Sequence, residues 1–143
     1  MGFSQTATLV AAACAALLLA APAAGDVSVG VADDRGKLAD DGGAAFFASM
    51  RDVGLTENRI TLAWDPEQPT TIRDQAALDR YMANAAAAGI RIAIVIAPSR
   101  ARALFNSTSA RNQFVAFIAQ VARTYRQVKD IGVGNEPNQP RFW

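Results

Sequence analysis

The sequence contains no histidine and a single cysteine, Cys14, among its 143 residues. Without histidine, the chain cannot form a Ser-His-Asp triad or a histidine metal site. Cys14 lies in an amino-terminal segment that we expect to be cleaved, so the mature chain has no disulfide and no thiol chemistry. We therefore expect neither a metal nor a reactive thiol.

The sequence also lacks an excess of either charge. Its 14 basic and 13 acidic residues give a net charge of +1. This balance provides no electrostatic reason to expect a nucleic acid or an anionic membrane as a partner. Charged residues make up 19% and apolar residues 51%, which favours a packed core, and the length allows one domain at most.

The amino terminus has no long transmembrane run. Leu9–Ala21 is uncharged and apolar but shorter than the roughly 20 residues that span a bilayer. Small residues at 21–25 follow it, as signal peptidase requires, although residues 1–8 contain no Lys or Arg. We predict a signal peptide at residues 1–25, secretion, and a mature domain at residues 26–143 without a membrane partner. A buried Ala-rich helix or a membrane anchor is the alternative.

After residue 26 the chain alternates between β-prone runs and helical patterns, in units of about 30 residues. The clearest unit is the apolar run Ile90–Ala97 followed by a helix that Ser109 can cap. Strands are predicted at residues 27–32, 59–64, 90–97 and 128–133, and helices at residues 44–53, 75–88 and 109–125. Such alternation implies parallel strands.

Two architectures fit this order, a doubly wound sheet and a (β/α)8 barrel. A doubly wound sheet would usually carry a Gly-rich phosphate loop after its first strand, but residues 33–43, DDRGKLADDGG, match neither GxGxxG nor a P-loop, and a barrel needs no such loop. No cofactor is expected. In a barrel, functional groups gather at the carboxyl ends of the strands. The residues at those ends are Asp33 and Asp34, Trp64 and Asp65, Ser99 and Arg100, and Asn135 and Glu136.

The last of these strand ends carries a recognisable pattern. Gly134–Asn138, the sequence GNEPN, resembles the fourth-strand signature of retaining clan A glycoside hydrolases, with cellulase-like family 5 and family 39 as the nearest look-alikes. The residues around Gly54–Trp64 and Leu78–Ile90 also look like that clan's second strand and second helix. The resemblance implies the amino-terminal half of a (β/α)8 TIM barrel, in which Glu136 is the acid/base and Asn135 contacts the sugar 2-hydroxyl.

Each site candidate also has a structural interpretation. Trp64 offers a flat face for stacking on a sugar but could equally pack in the core. Glu136 could be a solvated loop carboxylate, and Asn135 an ordinary turn residue. Asp33, Asp34 and Asp65 are expected to cap turns or helices. Arg59 is expected on the wrong face for substrate, and nothing further singles out Arg100.

Retaining hydrolysis needs a second carboxylate about 5 Å from the first. The resemblance places it after the seventh strand, whereas this sequence contains four strands and only Glu57 and Glu67 besides Glu136, both expected in loops. We therefore expect a truncated fragment that is inactive alone and associates with itself through its open sheet edges.

Three functions remain open from the sequence. The leading hypothesis is a hydrolase of O-glycosyl bonds in a β-linked poly- or oligosaccharide. The others are a non-catalytic carbohydrate-binding half-barrel and an unrelated α/β enzyme with a chance Asn-Glu-Pro sequence.

Overall fold

The computed structural model describes residues 27–136 of the chain. These residues form four strands and five helices in alternating order. The strands are β1 (Gly30–Ala32), β2 (Glu57–Trp64), β3 (Arg91–Pro98) and β4 (Asp130–Val133). The helices are α1 (Arg35–Leu38), α2 (Ala44–Asp52), α3 (Gln75–Ala88), α4 (Ala101–Asn106) and α5 (Thr108–Thr124).

The four strands form one parallel sheet in the order β1-β2-β3-β4. In the register, Ile60 of β2 lies opposite Ile94 of β3, and Ile96 of β3 lies opposite Val133 of β4. Sequential parallel strands with intervening helices are the arrangement that the sequence predicts for half of a (β/α)8 barrel. The fold class is therefore confirmed.

The core lies between the sheet and the helices. Side chains alternate along a strand, so Ile60, Leu62 and Trp64 of β2 share the helix-covered face with the even-numbered residues of β3. The helices contribute buried side chains such as Phe47 and Tyr81, whose ring centroids are 4.8 Å apart. The other buried helix residues include Met50, Leu78, Met82, Phe114, Phe117 and Val121.

The opposite face of the sheet carries no helix among the described residues. Arg59 and Ala63 of β2 are exposed on it, and Thr61 is half-buried. The outer edges of β1 and β4 also have no neighbouring strand within residues 27–136. Open edges of this kind favour association, and the predicted self-association stays a prediction.

Most element boundaries agree with the sequence patterns. The helix predicted at residues 75–88 is α3, and Gly89 ends it with a φ of 70° that glycine adopts easily. The helix predicted from residue 109 begins at Thr108, because Ser107 accepts a hydrogen bond from the N–H of Ala110. The proposed cap, Ser109, is therefore wrong by two residues.

Five local differences come from loop segments and strand ends. The predicted strand at residues 27–32 is regular only over Gly30–Ala32, and β4 begins at Asp130 instead of residue 128. The segment at residues 33–43, expected to be a loop, contains the short helix α1, and α4 precedes α5 as a second short helix. The glutamate expected in a loop, Glu57, is the first residue of β2.

No helix within residues 27–136 is long and apolar enough to span a membrane. The predicted signal peptide at residues 1–25 and the last seven residues of the predicted domain lie outside the described residues.

Candidate functional site at the carboxyl edge of the sheet

The carboxyl ends of all four strands meet at one edge of the sheet, because the strands are parallel. Hydrogen bonding continues past the regular strand ends. The N–H of Ser99 donates to the carbonyl of Trp64 at 2.8 Å, and the N–H of Gly134 donates to the carbonyl of Ile96 at 2.8 Å. Asn135 and Glu136 therefore begin directly beyond the last bond of the β3–β4 ladder.

The turn that carries Glu136 has an unusual backbone. Gly134 has a φ of 74°, and Glu136 has a φ of 41° in the left-handed region. A non-glycine residue there costs about 1–3 kcal/mol, and such residues cluster at functional sites. Glu136 is exposed and Asn135 is half-buried. The structure thus places both predicted residues together at the carboxyl edge.

Trp64 lies elsewhere, in the core beneath this edge. Its side chain is fully buried at 0% exposure, and its ring centroid is 5.1 Å from that of Phe114 on α5. Its indole N–H donates to the carbonyl of Pro69 at 3.2 Å. Neither ring face is open to a sugar, so the predicted stacking platform disagrees with the structure and the core-packing alternative agrees with it. The physical reason is the strand alternation, which turns residue 64 toward the helices.

The loop after β1 holds two carboxylates that organise the backbone. Asp33 accepts a hydrogen bond from the N–H of Arg35 at 2.8 Å and forms an ion pair with its guanidinium at 2.7 Å. The Arg35 side chain holds the pKa of Asp33 below its usual value. Asp34 accepts a hydrogen bond from the N–H of Thr61 at 2.9 Å and pairs with Lys37. Asp33 is therefore the turn residue that the sequence predicts, whereas Asp34 makes no capping bond to α1 and instead holds the backbone of β2.

The loop after β2 contains similar structural contacts. Asp65 accepts a hydrogen bond from the N–H of Glu67 at 3.0 Å and lies 3.6 Å from the guanidinium of Arg73. Arg100 forms an ion pair with Glu67. Asp65 is thus a turn residue, as predicted.

The expectation for Arg59 needs a correction. Its side chain is exposed on the helix-free face of β2, which becomes the interior face when such a sheet closes into a barrel. The residue does lie in the amino-terminal half of β2. It is therefore distant from the carboxyl edge but not turned to the outer face.

One buried polar cluster, next to the loop after β1, is missing from the sequence predictions. Asn58 is the only polar residue among positions 27–136 that is fully buried. Its side-chain amide donates to the carbonyl of Asp33 at 2.9 Å and to the hydroxyl of Tyr81 at 2.6 Å, and its carbonyl accepts from the N–H of Asp33 at 3.2 Å. Asn58 therefore fastens the loop after β1 to α3.

This cluster also changes the chemistry of Tyr81. Burial, reinforced by the charges of Asp34 and Asp33, raises the pKa of Tyr81 to about 12, although the bond from Asn58 acts in the opposite direction. The phenol is therefore neutral at physiological pH. The signal for this cluster was present in the sequence, since Asn58 interrupts the apolar positions of β2 that Ile60, Leu62 and Trp64 continue.

No three potential ligand residues among positions 27–136 gather in a way that could hold a metal ion. The described part of the site therefore consists of a carboxylate, an amide and the backbone of four strand ends.

Comparisons with known proteins identify the fold. No protein-family model matches the chain, and no curated protein matches it. A solved family 39 glycoside hydrolase from the gut symbiont Bacteroides cellulosilyticus WH2 is similar over 78% of this chain and 25% of its own, with a TM-score of 0.60 and 21% identity. An endo-1,4-beta-mannanase from Rhizomucor miehei is similar over 77% of this chain and 44% of its own, with a TM-score of 0.60 and 15% identity.

These structures show that the chain has a glycoside hydrolase-like fold, that of part of a TIM barrel. The chain spans a quarter of the first protein and less than half of the second. At these identities the likeness establishes the fold alone.

Proposed function

We propose that this chain contributes the acid/base half of a glycoside hydrolase that cleaves O-glycosyl bonds by a retaining mechanism. One observation carries the proposal: Asn135 and Glu136 follow the fourth strand of a parallel sheet, at its carboxyl edge. That edge is where (β/α)8 enzymes place their catalytic groups. The resemblance of Gly134–Asn138 to the clan A signature assigns the two roles.

In the proposed reaction, Glu136 protonates the leaving glycosidic oxygen while a second carboxylate attacks the anomeric carbon. The glycosyl intermediate is then hydrolysed by a water molecule whose proton returns to Glu136. Asn135 donates a hydrogen bond to the 2-hydroxyl of the sugar, which holds the ring during both steps. The substrate is a β-linked poly- or oligosaccharide, and no cofactor takes part.

The second carboxylate has to come from outside residues 27–136. The carboxylates of Asp33, Asp34 and Asp65 at this edge are tied to backbone N–H groups and to cations. A second copy of the chain would not supply the nucleophile either. If it closed an eight-stranded barrel with its β1 beside β4, its own β3 would be the seventh strand, and Ser99 and Arg100 follow that strand.

The test is Glu136→Gln in a protein that contains the complete barrel. Loss of the acid should reduce turnover of substrates with poor leaving groups by about 10²–10⁴-fold, and substrates with an activated aryl leaving group should suffer much less. Glu57→Gln, at the amino-terminal edge of β2, is the matched control. Equal turnover of both variants on unactivated substrates would remove the assignment of Glu136.

The second candidate is a non-catalytic carbohydrate-binding half-barrel. It is favoured by the hydrogen bonds and ion pairs that hold Asp33, Asp34 and Asp65 at the carboxyl edge. Because these carboxylates are held in this way, none of them is available as the nucleophile. This candidate predicts sugar binding that persists in Glu136→Gln without any hydrolysis by the parent protein. Because Trp64 is buried, we expect binding to depend on Asn135 and the loops and not on that ring.

We further propose that residues 1–25 direct export and that residues 26–143 form part of the catalytic domain. The proposal rests on the apolar run and the small residues at 21–25. A secreted product whose mass corresponds to a start near Asp26 is expected. A mature protein that still begins at Met1 would contradict it.

A further inference from the structure

An apolar groove lies on the helix-covered face of the sheet, beside β4. Val133 of β4 lies opposite Ile96 of β3 in the register, so the two side chains point to the same face. Ile96 is 0% exposed, whereas Val133 is 56% exposed. Phe105 of α4 and Val115 of α5, at 64% exposure each, continue this part of the apolar layer, which no described helix covers. The groove is lined by Leu104, Phe105, Arg111, Phe114, Val115 and Val133.

The groove is suited to aromatic side chains and not to a sugar. Its volume is about 460 Å³, and an apolar cavity of about 150 Å³ is enough for one benzene ring. Arg111 is the only polar side chain among the described residues that line it. A polyhydroxylated ligand would lose hydrogen bonds to water here without gaining replacements. Two neighbouring aromatic rings fit both the space and the apolar lining.

Arg111 is held in a position that favours an aromatic neighbour. Its guanidinium donates to the carbonyls of Leu104 at 2.7 Å and Phe105 at 3.2 Å, and to the hydroxyl of Thr108 at 2.8 Å. These bonds use N–H groups at the edge of the guanidinium and fix its orientation. A guanidinium bonded in this way can stack through its planar face on an aromatic ring, and tryptophan gives the strongest such contact. No carboxylate lines the described part of the groove, so a cationic occupant is disfavoured.

The path of the chain leads the segment after β4 toward this groove. After β2 and β3 the chain leaves the carboxyl edge and returns through α3 and α5 on one face of the sheet. A right-handed crossover after β4 continues this layer beside α5, which is where the groove lies. After Val133, the next large apolar side chains in the sequence are Phe142 and Trp143. Both lie outside the described part of the chain.

We infer that the groove beside β4 is the docking site of Phe142 and Trp143. The chain from Val133 to Phe142 spans at most about 30 Å when extended, and Val133 itself lines the groove, so the aromatic pair is within reach. A short covalent link gives a segment an effective concentration in the millimolar range, which favours it over a second copy of the chain. Docking holds the turn with Asn135 and Glu136 at both ends. The inference concerns the packing of the chain and is independent of the catalytic proposal.

The test is acrylamide quenching of tryptophan fluorescence in the 143-residue chain. The chain has two tryptophans, and Trp64 is 0% exposed, so accessible emission reports Trp143. We expect Trp143 to be protected in the parent chain. Val115→Glu puts a charge into the apolar groove and should raise the Stern–Volmer quenching constant about threefold or more. The matched control is Ala116→Glu, on the next residue of α5, which is exposed, does not line the groove and should leave the constant unchanged.

Two further measurements assign the signal to the groove. In Val115→Glu combined with Trp143→Phe, the quenching constant should return to the parent value, because the accessible indole is gone. In the parent chain, NMR should show nuclear Overhauser effects between the indole protons of Trp143 and the methyl groups of Val115 and Val133. The second measurement needs no substitution in the groove and therefore does not depend on the folding of a variant.

Three outcomes would overturn the inference. The first is equal quenching constants in Val115→Glu and Ala116→Glu. The second is a parent chain in which acrylamide reaches Trp143 as readily as it does in urea. The third is protection of Trp143 that disappears on dilution together with a fall in the sedimentation coefficient, which would assign the groove to a second copy of the chain.

Discussion

The two faces of the sheet differ more than any other pair of regions in this molecule. On β2, Ile60 and Trp64 face the helices with 1% and 0% exposure, whereas Arg59 and Ala63, one residue away in sequence, are exposed on the other face. The helix-covered face is large and apolar, whereas the open face carries small, polar or charged side chains on β2 and the buried Ala93 and Val95 on β3. The difference shows that the described residues complete one hydrophobic layer and leave the other without a counterpart.

The charged groups of the open face contribute little to the stability of the fold. Arg91 pairs with Glu57 and lies 3.3 Å from Asp130 at the amino-terminal edge of the sheet. Ion pairs with partly exposed partners contribute about 0–1 kcal/mol each. Stability should therefore depend mainly on the helix-covered face.

Truncation of a buried side chain on the helix-covered face should give the largest effect. Trp64→Ala removes a fully buried ring that contacts Phe114, and we expect a loss of about 3–5 kcal/mol in the free energy of unfolding. The neighbouring change Ala63→Ser, on the open face, should cost less than about 0.5 kcal/mol. Urea unfolding followed by circular dichroism measures both. Similar costs for the two variants would refute the contrast between the faces.

Replacement of Asn58, the buried polar residue on the helix-covered face, should cause an intermediate loss in the free energy of unfolding. Asn58→Ala removes the side-chain partners of the half-buried Asp33 backbone and of the Tyr81 hydroxyl, at a cost of about 1–3 kcal/mol. Tyr81→Phe removes only the hydroxyl that accepts from Asn58 and should cost less than Asn58→Ala. The same unfolding experiment ranks them. A larger loss from Tyr81→Phe would show that the cluster depends on the phenol and not on the amide.

A loss of stability at high pH should also come from the helix-covered side. Burial raises the pKa of Tyr81 to about 12, and burial together with the hydroxyl bond to Asp79 raises the pKa of Tyr125. The unfolded chain ionises near pH 10. Each raised pKa therefore contributes stability that is present below pH 10 and is lost as pH rises toward the folded value, by about 1.4 kcal/mol per pH unit per group.

Ultraviolet absorbance of the phenolate tests this directly, because the sequence has only these two tyrosines. The folded chain should ionise well above the pH at which the chain in urea does. In Tyr81→Phe, the remaining titration reports Tyr125 alone. Coincident titrations of the folded and the urea-unfolded chain would show that neither phenol is protected.

The sequence patterns predicted the elements with long periodic faces. The fourteen residues of α3 and the apolar run that becomes β3 were found almost to the residue, because each contains enough apolar positions to define its period. The short helices α1 and α4 were missed, since four and six residues are too few for any period to emerge. Ser107 and Ser109 are equally good caps by type, and only the backbone path selects between them.

The site was predictable in position but not in detail. The place of Asn135 and Glu136 followed from counting strands, whereas the left-handed backbone of Glu136 depends on the turn that leaves β4. The role of Trp64 was misjudged because its position at the end of a strand does not show toward which face of the sheet its side chain points. Asn58 was overlooked because its partners, Asp33 and Tyr81, lie 25 and 23 residues away.

The amino-acid sequence by itself determined which segments are strands and helices and in which order they come, since periodicity and turn residues are local properties. The tertiary structure alone decided which strand face is covered, that Trp64 belongs to the core, and that Asn58 fastens the loop after β1 to α3. Those outcomes depend on the register of the strands and on contacts between segments that are far apart in the sequence. A local sequence pattern specifies neither of them.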